Sequence, residues 1–281
     1  MRIHRLMSAG NIRLFLLFSV MIIVLSFLPM LSHATVFWDD EMESGRTGFQ
    51  DLSLLMSQGS MAFDTSVKFS GSGSIRLDYP ANCEPATFGG SGCGGASIRT
   101  VPLTDTLYRR VYFRMSGQGP VVTPTGQFQT SINTFTKMLR TTTNGITRQW
   151  WMIGCCTSKN FMVTLENVPP GGATNKYSGA TLADNRWYCI ETYEKLNTPG
   201  VANGISQAWV DGTQVMNVTN VMYRLAGNNN LWNGVGIFRQ TGRGNIWWDR
   251  YATGDTRIGC SGTIPSSDAT PPTIPSGVSV R

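Results

Sequence analysis

Hydrolysis of a glycosidic bond needs two carboxylates about 5 to 10 Å apart, so the acidic residues are the first to weigh. The one dense acidic cluster is Asp39, Asp40, Glu41 and Glu43, at the first strand-like segment. That position suits a calcium site or a solvated edge better than a cleft. Glu191 and Glu194 stand three residues apart, a spacing that on a strand sends them to opposite sides and argues against a catalytic pair. Elimination from a uronic acid asks for different groups. One neutralises the sugar carboxylate, a base takes the neighbouring proton, and an acid serves the leaving oxygen. Arginine, lysine, glutamine and tyrosine can fill these roles without histidine. That matters here, because the only histidines, His4 and His33, lie in the first 34 residues. Arg110, Tyr112, Arg114, Lys137, Arg140, Tyr193 and Arg239 fall on strand-like segments, and several could line one concave sheet. In an eliminative reading Tyr112 or Tyr193 carries the proton, and Arg114 or Arg140 meets the carboxylate. For each residue alone, the plainer reading is a solvated outer-face side chain.

Sugar rings stack on flat apolar faces, and Trp150, Trp151, Trp209, Trp232, Trp247 and Trp248 offer such faces with a polar N–H at the edge. The adjacent pairs Trp150-Trp151 and Trp247-Trp248 must each send one ring inward. Trp209, with Gln207 and Asp211 on its own side of the strand, is the best exposed candidate. Trp209, Arg114, Lys137, Arg140 and Arg239 form the expected carbohydrate-binding set. Asp40, Glu43 and Asp249 would offer oxygen ligands to a structural calcium ion where the first and last strands pair. A surface cluster without metal fits them equally well. The run Gly89-Gly90-Ser91-Gly92-Cys93-Gly94-Gly95 lacks the Gly-Lys-Ser/Thr ending of a phosphate loop and reads as a surface loop. Asn217-Val218-Thr219 is a glycosylation sequon, used only in a eukaryotic source.

The elements that must position these residues are short strands. With 31 glycines, 14% charged and 41% hydrophobic residues in 281, the chain is glycine-rich and charge-poor, against disorder or coiled coil. From Thr35 to Cys260, alternating segments are separated by Gly, Asn, Asp and Pro. Strands are expected at 74–79, 108–115, 135–141, 149–153, 161–166, 187–196, 206–210, 234–240 and 245–251, enough for two packed sheets. In the second of these, Val111, Phe113 and Met115 alternate with Arg110, Tyr112 and Arg114, predicting one core face and one wet face. Asp211-Gly212 between two strand-like runs signals a hairpin turn.

Arg2, Arg5 and Arg13 precede an apolar run from Leu14 to Leu28, and Ser32-His33-Ala34 offers the small residues of a cleavage site. Residues 1–34 therefore read as a secretory signal, with a retained membrane anchor as the rival. Removing them takes the formal charge from +6 to 20 bases against 17 acids, a surplus of +3. That surplus is too small for a domain that binds nucleic acid through many phosphates. After cleavage no membrane segment is expected, and the protein would be secreted or at the cell surface. All six cysteines, Cys83, Cys93, Cys155, Cys156, Cys189 and Cys260, follow the leader, and an even count in an exported chain suggests up to three disulfides. Cys83 and Cys93 flank a loop that a local bridge would close. A vicinal bridge between Cys155 and Cys156 would be strained, which leaves Cys189 and Cys260 as their available partners. Residues 261–281, rich in Pro, Ser and Thr, read as a linker or tail.

Three segments carry a resemblance. They are Val36-Phe37-Trp38-Asp39-Asp40-Glu41-Met42-Glu43 followed by Ser70-Gly71-Ser72-Gly73-Ser74-Ile75-Arg76-Leu77; Trp187-Tyr188-Cys189-Ile190-Glu191 through Trp209-Val210-Asp211-Gly212; and Asn245-Ile246-Trp247-Trp248-Asp249 with Arg257-Ile258-Gly259. Together the chain resembles the concanavalin A-like lectin/glucanase superfamily, which includes laminin G-like modules, glucanases and polysaccharide lyases. The resemblance implies an all-β, two-sheet antiparallel jelly-roll β-sandwich over residues 35–260. Asp268 to Val278 looks like the opening of a fibronectin type III domain. The Glu-x-Asp-x-x-Glu run of laminarinase-like members is absent, as is the histidine that many lyases of this fold use. The expectation is a domain that binds polysaccharide through a concave sheet face. A histidine-independent lyase acting on an acidic glycan, or a structural surface module, are the alternatives.

Overall fold

The computed structural model describes residues 35–43, 50–51, 60–79, 94–117, 135–154, 159–169, 171, 173–240 and 244–260. The expected signal, the tail, the glycine run up to Cys93, and Cys83, Cys155 and Cys156 lie outside them.

Fifteen strands are formed among the described residues: β1 (Val36–Asp40), β2 (Gln50–Asp51), β3 (Ser60–Asp64), β4 (Ser74–Tyr79), β5 (Gly94–Thr104), β6 (Thr106–Ser116), β7 (Phe135–Thr143), β8 (Ile146–Gly154), β9 (Asn160–Glu166), β10 (Ala173–Thr181), β11 (Trp187–Lys195), β12 (Gly204–Val210), β13 (Thr213–Val221), β14 (Trp232–Gln240) and β15 (Gly244–Gly254). The first sheet runs β13-β12-β11-β6-β15-β4-β3, with β1 also on β15, and the second runs β10-β9-β8-β7-β14-β5-β2. Their pairings are antiparallel, and the fold is the expected two-sheet jelly-roll sandwich.

The nine anticipated strands are all present, most of them longer by one to three residues. Strands β2, β3, β5 and β10 have no counterpart among the expected strands, and β13 is the strand-like run that follows the Asp211-Gly212 turn. Pro102 on β5 argues against a strand in sequence terms, and it lies where the pairing of β5 with β14 shifts register. Edge strand β10 is too polar to alternate visibly. The Asp211-Gly212 turn forms as anticipated: both residues have positive φ, 50° and 80°, as the tight hairpin between β12 and β13 requires.

The core between the sheets contains Val111, Phe113 and Met115 of β6, Trp151 and Ile153 of β8, Ile190 of β11, Val235 and Ile237 of β14, and Trp248 and Tyr251 of β15. One prediction for β6 needs correction. Arg110 and Tyr112 are 3% and 0% exposed rather than wet: Arg110 is paired with Asp39 of β1, and the segment 64–70 folds over Tyr112 on the outer face of the first sheet. Asp64 anchors that segment by accepting from the Ser66 amide (2.8 Å), Arg76 Nη1 (2.9 Å) and Trp247 Nε1 (2.9 Å). Phe69 then stacks on Tyr112 at 3.7 Å, and Tyr112, Trp187, Cys189 and Trp247 form a second small apolar cluster.

The disulfide pairing also needs correction. Cys189 is bonded to Cys260, with Cα atoms 5.9 Å apart, so neither serves Cys155 or Cys156. The cause is a strap, residues 255–260, drawn back across β11. Glu191 holds it by accepting from Arg257 Nη2 (3.0 Å) and the Gly259 amide (2.6 Å).

Candidate functional site

The two sheets present two different outer faces. On the second sheet, cross-strand register places Arg140, Trp150, Thr164 and Asn175 in one row over β7, β8, β9 and β10. Lys137, Met152, Met162 and Tyr177 form the next row, about 7 Å along the strands. Alternation makes this possible: Gln149 and Trp151 turn inward on β8, so Trp150 and Met152 turn outward.

Cations gather on this face. Lys137 Nζ lies 4.3 Å from the centre of the Trp150 ring and Arg140 Cζ lies 5.4 Å from it, both within cation–π range. Arg140 Nε donates to Thr147 Oγ1 at 2.8 Å. Trp150 Nε1 donates to Glu166 Oε2, and Thr164 Oγ1 donates to Asn175 Oδ1 at 2.6 Å. Burial pushes the Lys137 ammonium below the ordinary lysine range; Glu166 draws it back up and Arg140 pushes it further down. Burial lowers Arg140 too, again against Glu166. Among the described residues, Glu166 is the carboxylate beside these two partly desolvated cations, a setting in which charge pairs are stronger than in water. Trp150 is itself 5% exposed, covered by the cations it supports.

The residues expected to share one concave sheet are divided. Lys137 and Arg140 lie on the second sheet, with Arg239, whose backbone pairs with Gly95 and whose side chain is outside the described residues. Tyr112, Arg114, Tyr193 and Trp209 lie on the first sheet. Tyr112 is sealed beneath Phe69, and Arg114 lies over Trp247, Cζ 6.0 Å from the ring centre. Tyr193 stacks on Tyr108 at 4.5 Å. Trp209 is half-buried, with Arg257 of the strap 4.5 Å over its ring, so its exposed face is already occupied. Glu166, Thr164 and Asn175 were not anticipated. Alternation along Phe161-Met162-Val163-Thr164-Leu165-Glu166 puts Thr164 and Glu166 on one face, but only the register of three strands brings them to Trp150. The inward and outward rings of the paired tryptophans are as expected: Trp151 and Trp248 belong to the main core, Trp150 and Trp247 to the outer faces.

The acidic residues near β1 separate as well. Asp39 Oδ1 accepts from Arg110 Nη2 (2.9 Å), and Glu41 Oε1 from Arg250 Nη2 (2.6 Å). Asp40, one of the three anticipated metal ligands, turns back to accept from the Met42 amide at 2.7 Å. The other two come together as β1 pairs with β15. Asp249 Oδ2 accepts from the Phe69 and Ser70 amides (2.8 and 3.2 Å), while Glu43 Oε2 takes the Ser72 amide and hydroxyl. Burial pushes the Asp249 carboxyl up to about 7 against those amides, and the charge on Glu43 pushes the same way. Asp249 Oδ1 and Glu43 Oε1 are buried without a hydrogen-bond partner. Among the described residues no three acidic, histidine or cysteine side chains converge as a metal site. A cation here would therefore need backbone and hydroxyl oxygens beside the two carboxylates.

No protein-family model matches the chain, and no curated protein matches its sequence. Solved structures do match. An endo-β-1,4-glucuronan lyase from the fungus Trichoderma reesei superposes with a TM-score of 0.53 at 16% identity, covering 79% of this chain and 96% of that one. The cellulose-induced protein Cip1 matches with a TM-score of 0.52 at 18% identity, over 80% and 100% of the two chains. The marine PL-14 alginate lyase from Aplysia kurodai matches with a TM-score of 0.53 at 11% identity, over 78% and 99%. At such identities the likeness is one of fold, the concanavalin A-like jelly roll.

Proposed function

We propose that the protein is exported and recognises an acidic polysaccharide on the outer face of its second sheet. Lys137 and Arg140, held over Trp150 beside Glu166, carry the reading. A uronate carboxylate arriving there replaces water around two partly desolvated cations, and the Thr164 and Asn175 pair lies in the same row for sugar hydroxyls. Two of the lyases among the fold relatives, of glucuronan and of alginate, act on acidic glycans by name, which supports the same ligand class. The disulfide between Cys189 and Cys260 fits an oxidising compartment.

A second reading, eliminative cleavage, is favoured by one observation. Burial lowers Lys137, so a larger fraction of it is neutral and able to take a proton than in an ordinary lysine. Arg140 would neutralise the sugar carboxylate in the row beside it. As Lys137 takes the adjacent proton, the freed electron pair forms the C=C bond, the glycosidic C–O bond breaks, and the Lys137 ammonium returns that proton to the leaving oxygen. The first experiment incubates the full chain with neutral and acidic polysaccharides, measuring retention together with the ultraviolet absorbance of unsaturated uronate ends. Retention on acidic chains alone supports recognition, and rising absorbance makes the protein a lyase. Equal or absent retention on neutral and acidic chains, with flat absorbance, refutes both.

We also propose a structural calcium ion at Glu43 and Asp249. The two orphaned carboxylate oxygens, with Ser70 and Ser72 beside them, suit a hard cation, and Asp249 would be ionised once the cation is bound. Calcium should raise the unfolding temperature of the wild type and leave Asp249→Asn unmoved. An equal response in both refutes the site.

A further inference from the structure

Beneath the cationic face, the two sheets are joined by an ion pair within the apolar core. Arg109 of β6 and Glu194 of β11 belong to the first sheet, meet at 2.9 Å, and have 0% side-chain exposure. Arg109 also donates to Thr192 Oγ1 (3.2 Å) and Tyr251 OH (3.4 Å) within that sheet, and the remaining bonds of the pair reach across to the second. Arg109 Nη1 donates to the backbone carbonyl of Arg140 at 2.9 Å, and Nη2 to Thr141 Oγ1 at 3.3 Å. Glu194 Oε1 accepts from Gln149 Nε2 and from Trp151 Nε1, both at 2.8 Å, and its backbone carbonyl accepts from Trp232 Nε1 at 3.1 Å. The groups gripped on β7 and β8 are thus Arg140 itself and the chain neighbours of Arg140 and Trp150. Because side chains alternate across a strand, each inward grip fixes an outward residue of the candidate site.

Stability does not account for this pair. Taking two charges out of water costs about as much as their attraction returns, and apolar replacements of similar volume are often neutral or stabilising. What an apolar pair cannot do is hold one geometry: the planar guanidinium bonds a carboxylate, a carbonyl and a hydroxyl in fixed directions. Binding sites gain from supports of this kind, which remove the cost of ordering the contact residues.

We infer that Arg109 and Glu194 are positioning residues: they tie β7 and β8 to the first sheet so that Arg140 and Trp150 stand ready for an acidic polysaccharide. The inference rests on the recognition proposed above. Its test is the double variant Arg109→Met with Glu194→Gln, in the full chain. This pair removes both buried charges and leaves glutamine an oxygen for Gln149 and Trp151. The expected result is a cooperative thermal unfolding near that of the wild type with affinity for alginate weakened about tenfold. Arg109→Lys, which keeps the charge opposite Glu194 and loses the fork, should fall between the two and serves as the test if the double variant does not fold. Wild-type affinity in either folded variant overturns the positioning role while leaving the recognition face standing. A wild type that retains no acidic polysaccharide removes that face, and the inference with it.

Discussion

The two outer faces of the sandwich are built from the same kinds of residue and do opposite things with them. On the first sheet, Tyr112, Trp187 and Trp247 lie under the segment anchored by Asp64, and Arg110 is paired with Asp39. Trp209 lies under Arg257, whose strap is tied down by Glu191 and the Cys189–Cys260 bridge. On the second, Lys137 and Arg140 rest on Trp150 with Glu166 as the facing carboxylate. Aromatic and cationic side chains therefore do not identify a ligand face by type. Among the described residues the difference is in how each face is held: the segment 64–70 and the strap 255–260 overlie the first, whereas on the second the cations lie directly over Trp150.

The largest expected effect comes from breaking the covered face. Tyr112→Ala, at a fully buried ring stacked on Phe69, should cost about 3–5 kcal/mol, as other large aromatic truncations do. Denaturant unfolding measures it, and retention on acidic polysaccharide should be unchanged for the molecules that remain folded. Next is the strap: Cys189→Ser with Cys260→Ser should cost about 2–4 kcal/mol, again without loss of retention. A loss of retention in either would move the ligand site to the first sheet.

On the second face the balance reverses. Arg140→Ala should weaken retention on acidic polysaccharide about tenfold, while its unfolding shifts by about 1–2 kcal/mol, the worth of its bonds to Thr147 and Gly145 and its contact with Trp150. Equal retention would end its role as an anion contact. The pH dependence sharpens this further. Burial lowers Lys137, so its positive charge is lost at a lower pH than that of an ordinary lysine, while a uronate stays ionised. Retention should therefore fall as pH rises toward the lysine range, beginning earlier than an exposed lysine would allow. The fall should vanish in Lys137→Arg, and a wild-type profile that matches the variant would show that Lys137 does not meet the anion. The smallest effect is at Trp209→Ala. Losing a partly exposed cation–π contact with Arg257 should cost about 0.5–1 kcal/mol and leave retention unaltered, where a sugar-stacking tryptophan would show the reverse.

The amino-acid sequence alone determines much of the architecture. Alternation predicted most of the strands, the Asp211-Gly212 turn, the opposite facing of Glu191 and Glu194, and the single inward ring of each tryptophan pair. All of these depend on a period of two along one segment, which local chemistry sets. Tertiary structure decided the rest. Which sheet received Arg140 and which received Arg114, whether a second segment would cover Tyr112 or Trp209, which cysteine met Cys189, and how Arg109 came to hold the carbonyl of Arg140 all depend on pairings between residues far apart in the chain. Register between strands and closure over a face are settled by packing of the whole core, and no single segment carries that information.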